Sequence, residues 1–287
     1  MSVIKSPFCH QAQNQPQNKN IRCGIGIVES NTEIADATRH LTIETETELP
    51  EIQAGQFVML RLPNRTDPLL GRPLAVYRSD THRLEVVYIV VGRMTKRLCE
   101  VKTGDSLEFW TPLGNGFPQT DTQQTILVAG GIGQTPFLKL AQKQNWERNQ
   151  KRKNKSRLAL LYGARSKNRI ACMDDFRQLG IEPLIATDDG SEGHHGFVTD
   201  LIKTVYDSGE TSQIFCCGPN PMLKSAFRVA GELKIPCFVS LETPMSCGLG
   251  NCFGCVVKYR DKPDGNDWDY RRTCTDGPVF DAYRLEL

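Results

Sequence analysis

The 287-residue sequence has no apolar run approaching the ~20 residues that a membrane-spanning helix requires. Nor has it an excess of either charge, since 35 Lys and Arg stand against 33 Asp and Glu. The first absence argues against helical membrane spans, the second against an overall field that attracts nucleic acid or anionic surfaces. There is no G-x-S-x-G, H-E-x-x-H or Walker-type loop and no internal repeat, so the common hydrolase and P-loop signatures are missing. The opening MSVIKSPFCHQAQNQPQNKN lacks the positive segment and apolar core of an export signal. Residues 1–20 read as a polar arm, and a cytoplasmic, reducing location is expected. There the 11 cysteines, an odd number, are metal ligands, buried apolar residues or free thiols rather than disulfides. What is present, 39% hydrophobic and 24% charged residues, fits an ordinary globular protein long enough for two domains and a small third module.

The texture of the chain changes twice. Residues 21–118 are short β-rich runs (IRCGIGIVES, HLTIET, QFVMLRLP, RLEVVYIVV, DSLEFW) punctuated by Gly and Pro, the pattern of a small antiparallel β-barrel or sandwich. Residues 119–240 alternate apolar strands with helical stretches, which implies βαβ units and a doubly wound α/β parallel sheet. Residues 241–287 are rich in Cys and Gly and poor in core-forming residues, so this module needs a staple such as a metal cluster. The basic run RNQKRKNKSR (148–157) has no interleaved aromatic and reads as a solvated loop rather than a nucleic-acid site.

Three constellations carry chemistry. Cys247-x4-Cys252-x2-Cys255, followed by the isolated Cys274, has the plant-type ferredoxin spacing for a 2Fe-2S cluster. Gly248, Gly250 and Gly254 there let backbone N–H groups approach inorganic sulfide. Four thiolates also suit zinc, but zinc ribbons present two paired-Cys knuckles and this tail has one. The second constellation is VAGGIGQTP, a strand running through Gly130, Gly131 and Gly133 into a helix, a place where a pyrophosphate meets unpaired N–H groups. It is joined by a later strand ending in Cys216-Cys217-Gly218-Pro219-Asn220-Pro221-Met222, and two such strand ends in one parallel sheet define a ligand crevice. The third is Gly71-Arg72-Pro73-Leu74-Ala75 followed by Gly92-Arg93-Met94-Thr95, where Arg72 is suited to pair with a phosphate and Thr95 to help hold another.

Taken in this order, Arg72-Pro-Leu-Ala, GGIGQTP and CGPNPM resemble the ferredoxin-NADP reductase superfamily. With CGLGNCFGC and RRTCTDGPVFDA added, residues 21–287 resemble the electron-transfer subunits of NAD-dependent dihydroorotate dehydrogenases. The resemblance implies a β-barrel that binds FAD, an α/β domain that binds NAD and a 2Fe-2S module. It further implies a partner, the FMN-containing dihydroorotate dehydrogenase catalytic subunit, in a heterotetramer serving pyrimidine biosynthesis. Arg72, Pro73, Leu74 and Ala75 match the flavin motif, and Val87, Tyr88 and Ile89 the next strand lining the FAD. Met94 and Thr95 match its pyrophosphate turn, while Gly130, Gly131, Gly133, Gly218 and Pro219 match the nicotinamide nucleotide site, with Cys217 as the catalytic residue near the reacting ring. Two departures stand out. Ala75 replaces the usual Ser, removing a hydroxyl near the flavin, and Met94 replaces a Gly, which demands a permissive backbone angle there. Arg165 and Lys167 suit an adenosine 2′-phosphate but are equally compatible with NADH. Two other readings remain open at this point: a related reductase subunit of the NADH-dependent ferredoxin:NADP reductase or sulfide dehydrogenase type, and a zinc-stabilised nucleotide-binding module.

Overall fold

Six strands, β1 (Arg22–Ala35), β2 (Thr38–Thr45), β3 (Phe57–Arg61), β4 (Arg72–Ser79), β5 (Arg83–Ile89) and β6 (Ser106–Leu113), close an antiparallel barrel in the order β1-β2-β5-β4-β3-β6. The structure, a computed structural model, describes residues 20–64, 66–149, 157–261 and 267–287. The expected arm up to residue 19 and most of the basic run 148–157 lie outside the described residues. Strand periodicity of two sorts the side chains. Leu84, Val86 and Tyr88 of β5 point into the barrel, as do Val58 and Leu60 of β3, whereas Val87 faces the neighbouring domain and Phe57 and Met59 face the C-terminal tail. A short helix, α1 (Arg93–Cys99), plugs the barrel through Met94 and Leu98.

The second domain is a parallel sheet built from β7 (Gln124–Gly130), β8 (Arg157–Ala164), β9 (Leu184–Thr187), β10 (His194–His195), β11 (Ser212–Cys217) and β12 (Cys237–Ser240), in spatial order β10-β9-β8-β7-β11-β12. The helices between them are α2 (Thr135–Asn149), α3 (Met173–Gln178), α4 (Ile202–Val205) and α5 (Asn220–Leu233). The uninterrupted apolar run ILVA of β7 is what a strand covered on both faces demands. Ile126 and Val128 pack on one side against Leu223, Ala226 and Val229 of α5, and Leu127 and Ala129 on the other against Phe137, Leu138 and Ala141 of α2. Full burial of a side chain such as Leu223 contributes about 1.5–3 kcal/mol. α5 begins with Pro221 in its first turn, where no N–H is needed, and ends at Lys234 in the left-handed conformation.

The tail forms a hairpin, β13 (Val256–Arg260) and β14 (Trp268–Arg272), and then adds β15 (Val279–Asp281) antiparallel to β12. Its last strand is therefore part of the α/β sheet, and Phe280, Ala282 and Leu285 belong to that sheet's core. The cysteine loop packs on the barrel instead, with Met245, Leu249, Cys255 and Cys274 against Phe57, Met59, Trp110 and Leu113. No helix among the described residues is long and apolar enough to cross a membrane.

Candidate functional site

The strand order reverses between β7 and β11, and a cleft of about 1210 Å³ opens at their carboxyl ends against the barrel. Its barrel wall is Arg72, Pro73, Leu74 and Ala75 of β4, Val87, Tyr88 and Ile89 of β5, and Met94 and Thr95 of α1. Its other wall includes Gly130, Gly131, Gly133, Cys217 and Pro219. One stretch of sequence thus supplies each patch that the motifs singled out, and the fold brings them to one cavity. Gly218 is the exception. It turns with φ +153°, and a Cβ there would lie 2.6 Å from Met222 Cε and 3.0 Å from Gly130 N, so it closes the two strand ends on each other without lining the cleft.

The remaining glycines divide the same way. A Cβ on Gly133 would lie 2.0 Å from the Cys217 carbonyl oxygen, and one on Gly130 2.7 Å from Met222 Sδ, so both are required by packing rather than by approach to a ligand. Gly131 is the open one: φ is +57° and the nearest atom to a Cβ would be Ile89 Cδ1 at 3.8 Å. One expectation for the barrel wall is corrected. Met94 adopts no special backbone angle; it lies in α1 with its side chain in the barrel core, because the family's turn is here the first turn of a helix. Tyr88 lines the cleft with its side chain turned into the barrel, the hydroxyl donating to Asn31 Oδ1 at 3.0 Å, so its neighbours Val87 and Ile89 offer the side chains there. The Thr95 hydroxyl accepts from the N–H groups of Val91 and Gly92, both at 3.0 Å, and shapes that turn.

Burial pushes the Cys217 thiol up to about 12, so it stands in the cleft as a neutral, weakly polar group. The segment Ser240–Ser246, which no motif marked, also lines the cleft, and burial holds the Glu242 carboxyl above its usual range. Position alone would have signalled this segment, since it joins a strand of the sheet to the first motif cysteine. Arg165 lines the cleft beside Asp188, while Lys167 is turned away to Glu192, 3.0 Å from its carboxylate. His194 lies 3.6 Å from Asp200, and Asp189 accepts from Ser191 N at 3.0 Å to form a turn. The two walls are fastened by Arg78 to Asp175 at 2.6 Å, by Lys139 to Ser79 at 2.8 Å, and by the Tyr77 hydroxyl, which donates to Asp175.

The four motif cysteines converge beside the barrel. Sγ of Cys247 and Cys252 are 3.4 Å apart, and Cys274 hydrogen-bonds both Cys247 and Cys255. As the shared donor it holds those two thiols well below the ordinary range, while its own is raised by the same bonds. All are free thiols, and no group of three or more His, Cys, Asp or Glu side chains among the described residues is arranged around a single ion. The donor chemistry fits a two-iron cluster. Four thiols form a chain of contacts, and buried hydroxyls of Thr273 and Thr275 flank Cys274 without a partner, which suits neighbouring sulfur acceptors. The loop is clamped by Arg272 Nη1 on the Gly250 carbonyl at 3.2 Å and by Thr273 N on the Cys255 carbonyl at 2.9 Å. Of its glycines only Gly254 faces a thiol, a Cβ there lying 3.6 Å from Cys252 Sγ. Those of Gly248 and Gly250 would meet Met59 and Thr275.

A closed barrel beside a parallel sheet, with a cleft at the switch point and a thiol-lined loop at its edge, defines an oxidoreductase of the ferredoxin-NADP reductase type. The comparisons agree. The solved NADH-dependent reduced ferredoxin-NADP oxidoreductase superposes with a TM-score of 0.78 at 26% identity, covering 91% of this chain and 89% of that one. The cytochrome P450 reductase GcoB of Amycolatopsis shares the fold, with a TM-score of 0.63 at 20% identity over 75% of this chain and 67% of that one. Residues 242–286 match the iron-sulfur cluster binding domain of dihydroorotate dehydrogenase B and 127–227 the oxidoreductase NAD-binding domain. The dihydroorotate dehydrogenase B (NAD(+)) electron transfer subunit of Clostridium perfringens is 34% identical over 91% of this chain and 97% of its own. That of Bacillus caldolyticus is 36% identical over 88% and 95%. The chain belongs to the family of dihydroorotate dehydrogenase B electron transfer subunits. It is an NAD-linked oxidoreductase subunit whose cofactors are FAD, a 2Fe-2S cluster and NAD, rather than a zinc-stabilised module.

Proposed function

We propose that this chain carries electrons from a separate FMN-containing catalytic subunit that oxidises dihydroorotate to NAD+, as part of a cytoplasmic heterotetramer in pyrimidine biosynthesis. The relatives' names support the pathway and imply a catalytic partner. One structural observation carries the electron-transfer reading: Ser240–Ser246 line the cleft and the very next residue is Cys247, so cleft and cysteine loop are consecutive in the chain.

In this reading Arg72 pairs with the flavin pyrophosphate, and Pro73, Leu74, Ala75, Val87 and Ile89 form the apolar wall behind the flavin. Gly131 admits the nicotinamide nucleotide, and Pro219 starts the helix beside it. The neutral Cys217 thiol packs on the reacting ring without competing for its hydride. Cys247, Cys252, Cys255 and Cys274 hold the cluster. When bound, nicotinamide and flavin supply hydride transfer and the iron-sulfur group supplies single-electron exchange, which is the cofactors' chemistry and not the chain's.

The test is NAD+ reduction by dihydroorotate with the catalytic subunit of the same organism. Activity that needs both proteins establishes partner, substrate and direction together. No activity, from protein shown to carry FAD and 2Fe-2S, moves the role to a reductase of the NADH-dependent ferredoxin:NADP type, the reading favoured by the structural likeness at a TM-score of 0.78.

A further inference from the structure

Trp110 stands where barrel, cleft wall and cysteine loop meet. On β6 it lies opposite Cys23 of β1 and Met59 of β3, and its side chain is buried among Met59, Met245, Leu249, Cys255 and Cys274. Its indole Nε1–H donates to the backbone carbonyl of Cys247 at 2.9 Å. The opposite edge of the ring faces β4, because a Cβ on Gly71 would lie 3.2 Å from Trp110 Cη2. Gly71 is the residue before Arg72. A single rigid side chain, with only two rotatable bonds, therefore spans from the first cysteine of the loop to the start of the strand assigned to the flavin. Beside it the loop rests directly on the barrel, since a Cβ on Gly248 would lie 2.7 Å from Met59 Cγ.

We infer that Trp110 is a positioning residue for electron passage, fixing the Cys247 loop in register with Gly71 and Arg72. The inference rests on the cysteine and Arg72 assignments proposed above. A leucine or phenylalanine at this site fills much of the same volume but cannot donate to the Cys247 carbonyl, and a partly buried carbonyl that loses its donor shifts to find another. Such a shift moves the loop that supplies a ligand, while leaving all four thiols in place. The consequence falls on the coupling of the two centres rather than on their binding.

The experiment uses the full chain with both cofactors, as wild type, Trp110→Phe and Trp110→His. Iron, sulfide and FAD content are measured first. Then come the EPR spectrum and potential of the reduced cluster, and the flavin-to-cluster electron-transfer rate, read by stopped flow against flavin reduction by NADH as internal reference. In the phenylalanine variant, full cofactor content with an altered EPR line shape and a rate ratio reduced about tenfold is expected, since small misplacements cost rate steeply. The histidine variant, which keeps a ring N–H, is expected to recover part of both. Full content with an unchanged spectrum and rate ratio overturns the inference. Wild-type protein that takes up FAD but no iron and sulfide overturns the cysteine assignment instead, and is seen before any variant is compared. Should the phenylalanine variant fail to fold, the wild-type indole ¹⁵N–H resonances decide. That of Trp110 is expected to broaden on cluster reduction, and an unaffected resonance overturns the inference.

Discussion

At the residue scale the site is a matter of which atoms tolerate no addition. Gly133 and Gly131 are two residues apart in one motif, yet the structure gives them opposite roles. Gly133→Ala would drive a methyl group to within 2.0 Å of the Cys217 carbonyl, so the two strand ends must separate. A cost of about 3 kcal/mol, seen as a fall in Tm of roughly 5–10 °C by calorimetry, is expected. Gly131→Ala meets nothing closer than 3.8 Å and bears only the cost of φ +57°, about 1–2 kcal/mol. It is expected to lower Tm little while weakening NAD binding, because its methyl group enters the cleft. Equal thermal losses in the two variants would show that the glycines share one role. The cysteines give a cleaner separation. Cys252 lines the thiol chain and takes no part in the cleft, so Cys252→Ala is expected to lose iron and sulfide, measured chemically, and to keep FAD, measured by absorbance after dialysis.

At the element scale the two domains are held by β4 and α2, and one charge buried there is electrically costly. The Lys139 ammonium donates to Ser79 at 2.8 Å, and burial lowers it from 10.5 to about 8. A lysine depressed in this way binds fewer protons folded than unfolded between pH 8 and 10.5. Its contribution to stability therefore rises as pH climbs through that window, and its burial is most costly below it. Lys139→Met is expected to be more stable than wild type at pH 7, by on the order of 1 kcal/mol, with the advantage shrinking by pH 10. Urea unfolding at the two pH values measures this, and a gain that does not change with pH would assign it to packing alone. The elements themselves differ in how far the sequence reveals them. β7 and β11 carry continuous apolar runs ended by turns marked with Gly and Pro, so their burial and their shared edge are readable locally. α1 is not, because Met94 and Leu98 make only one i, i+4 pair, too short a period to separate a helix from the turn expected there. β15, three residues long, is defined by pairing with β12 about 40 residues earlier in the chain, and no local pattern encodes that.

At the scale of the whole molecule the three modules read from the sequence are real as textures, but the tail is divided between the other two. Its cysteine loop rests on the barrel and its last strand completes the sheet, so it joins the domains as well as carrying thiols. The motif spacing announced the four cysteines, and nothing in it announced what holds Cys274 within reach of the rest. Beside the bond from Thr273 N to the Cys255 carbonyl, that task falls to Asn115, at the exit of the barrel. Its side chain donates to the Asp276 carbonyl at 3.1 Å and the Val279 carbonyl at 2.9 Å, and accepts from Val279 N at 2.9 Å. Its backbone N–H donates to the Gly277 carbonyl at 2.6 Å. One amide thus fixes the turn between Cys274 and β15 from the barrel side, using donor and acceptor together. Asn115→Ala leaves two carbonyls and one N–H of that turn unpartnered, each a loss of about 1 kcal/mol or more. Asn115→Asp keeps the acceptor but removes both donors. Both variants are expected to lose iron and sulfide on dialysis faster than wild type, and to bind FAD normally, because Arg72 and the β5 wall are untouched. Cluster half-life followed by the visible absorbance measures this. A half-life equal to wild type in the alanine variant would mean that β15 pairing, the Thr273–Cys255 bond and packing on the barrel hold Cys274 without Asn115.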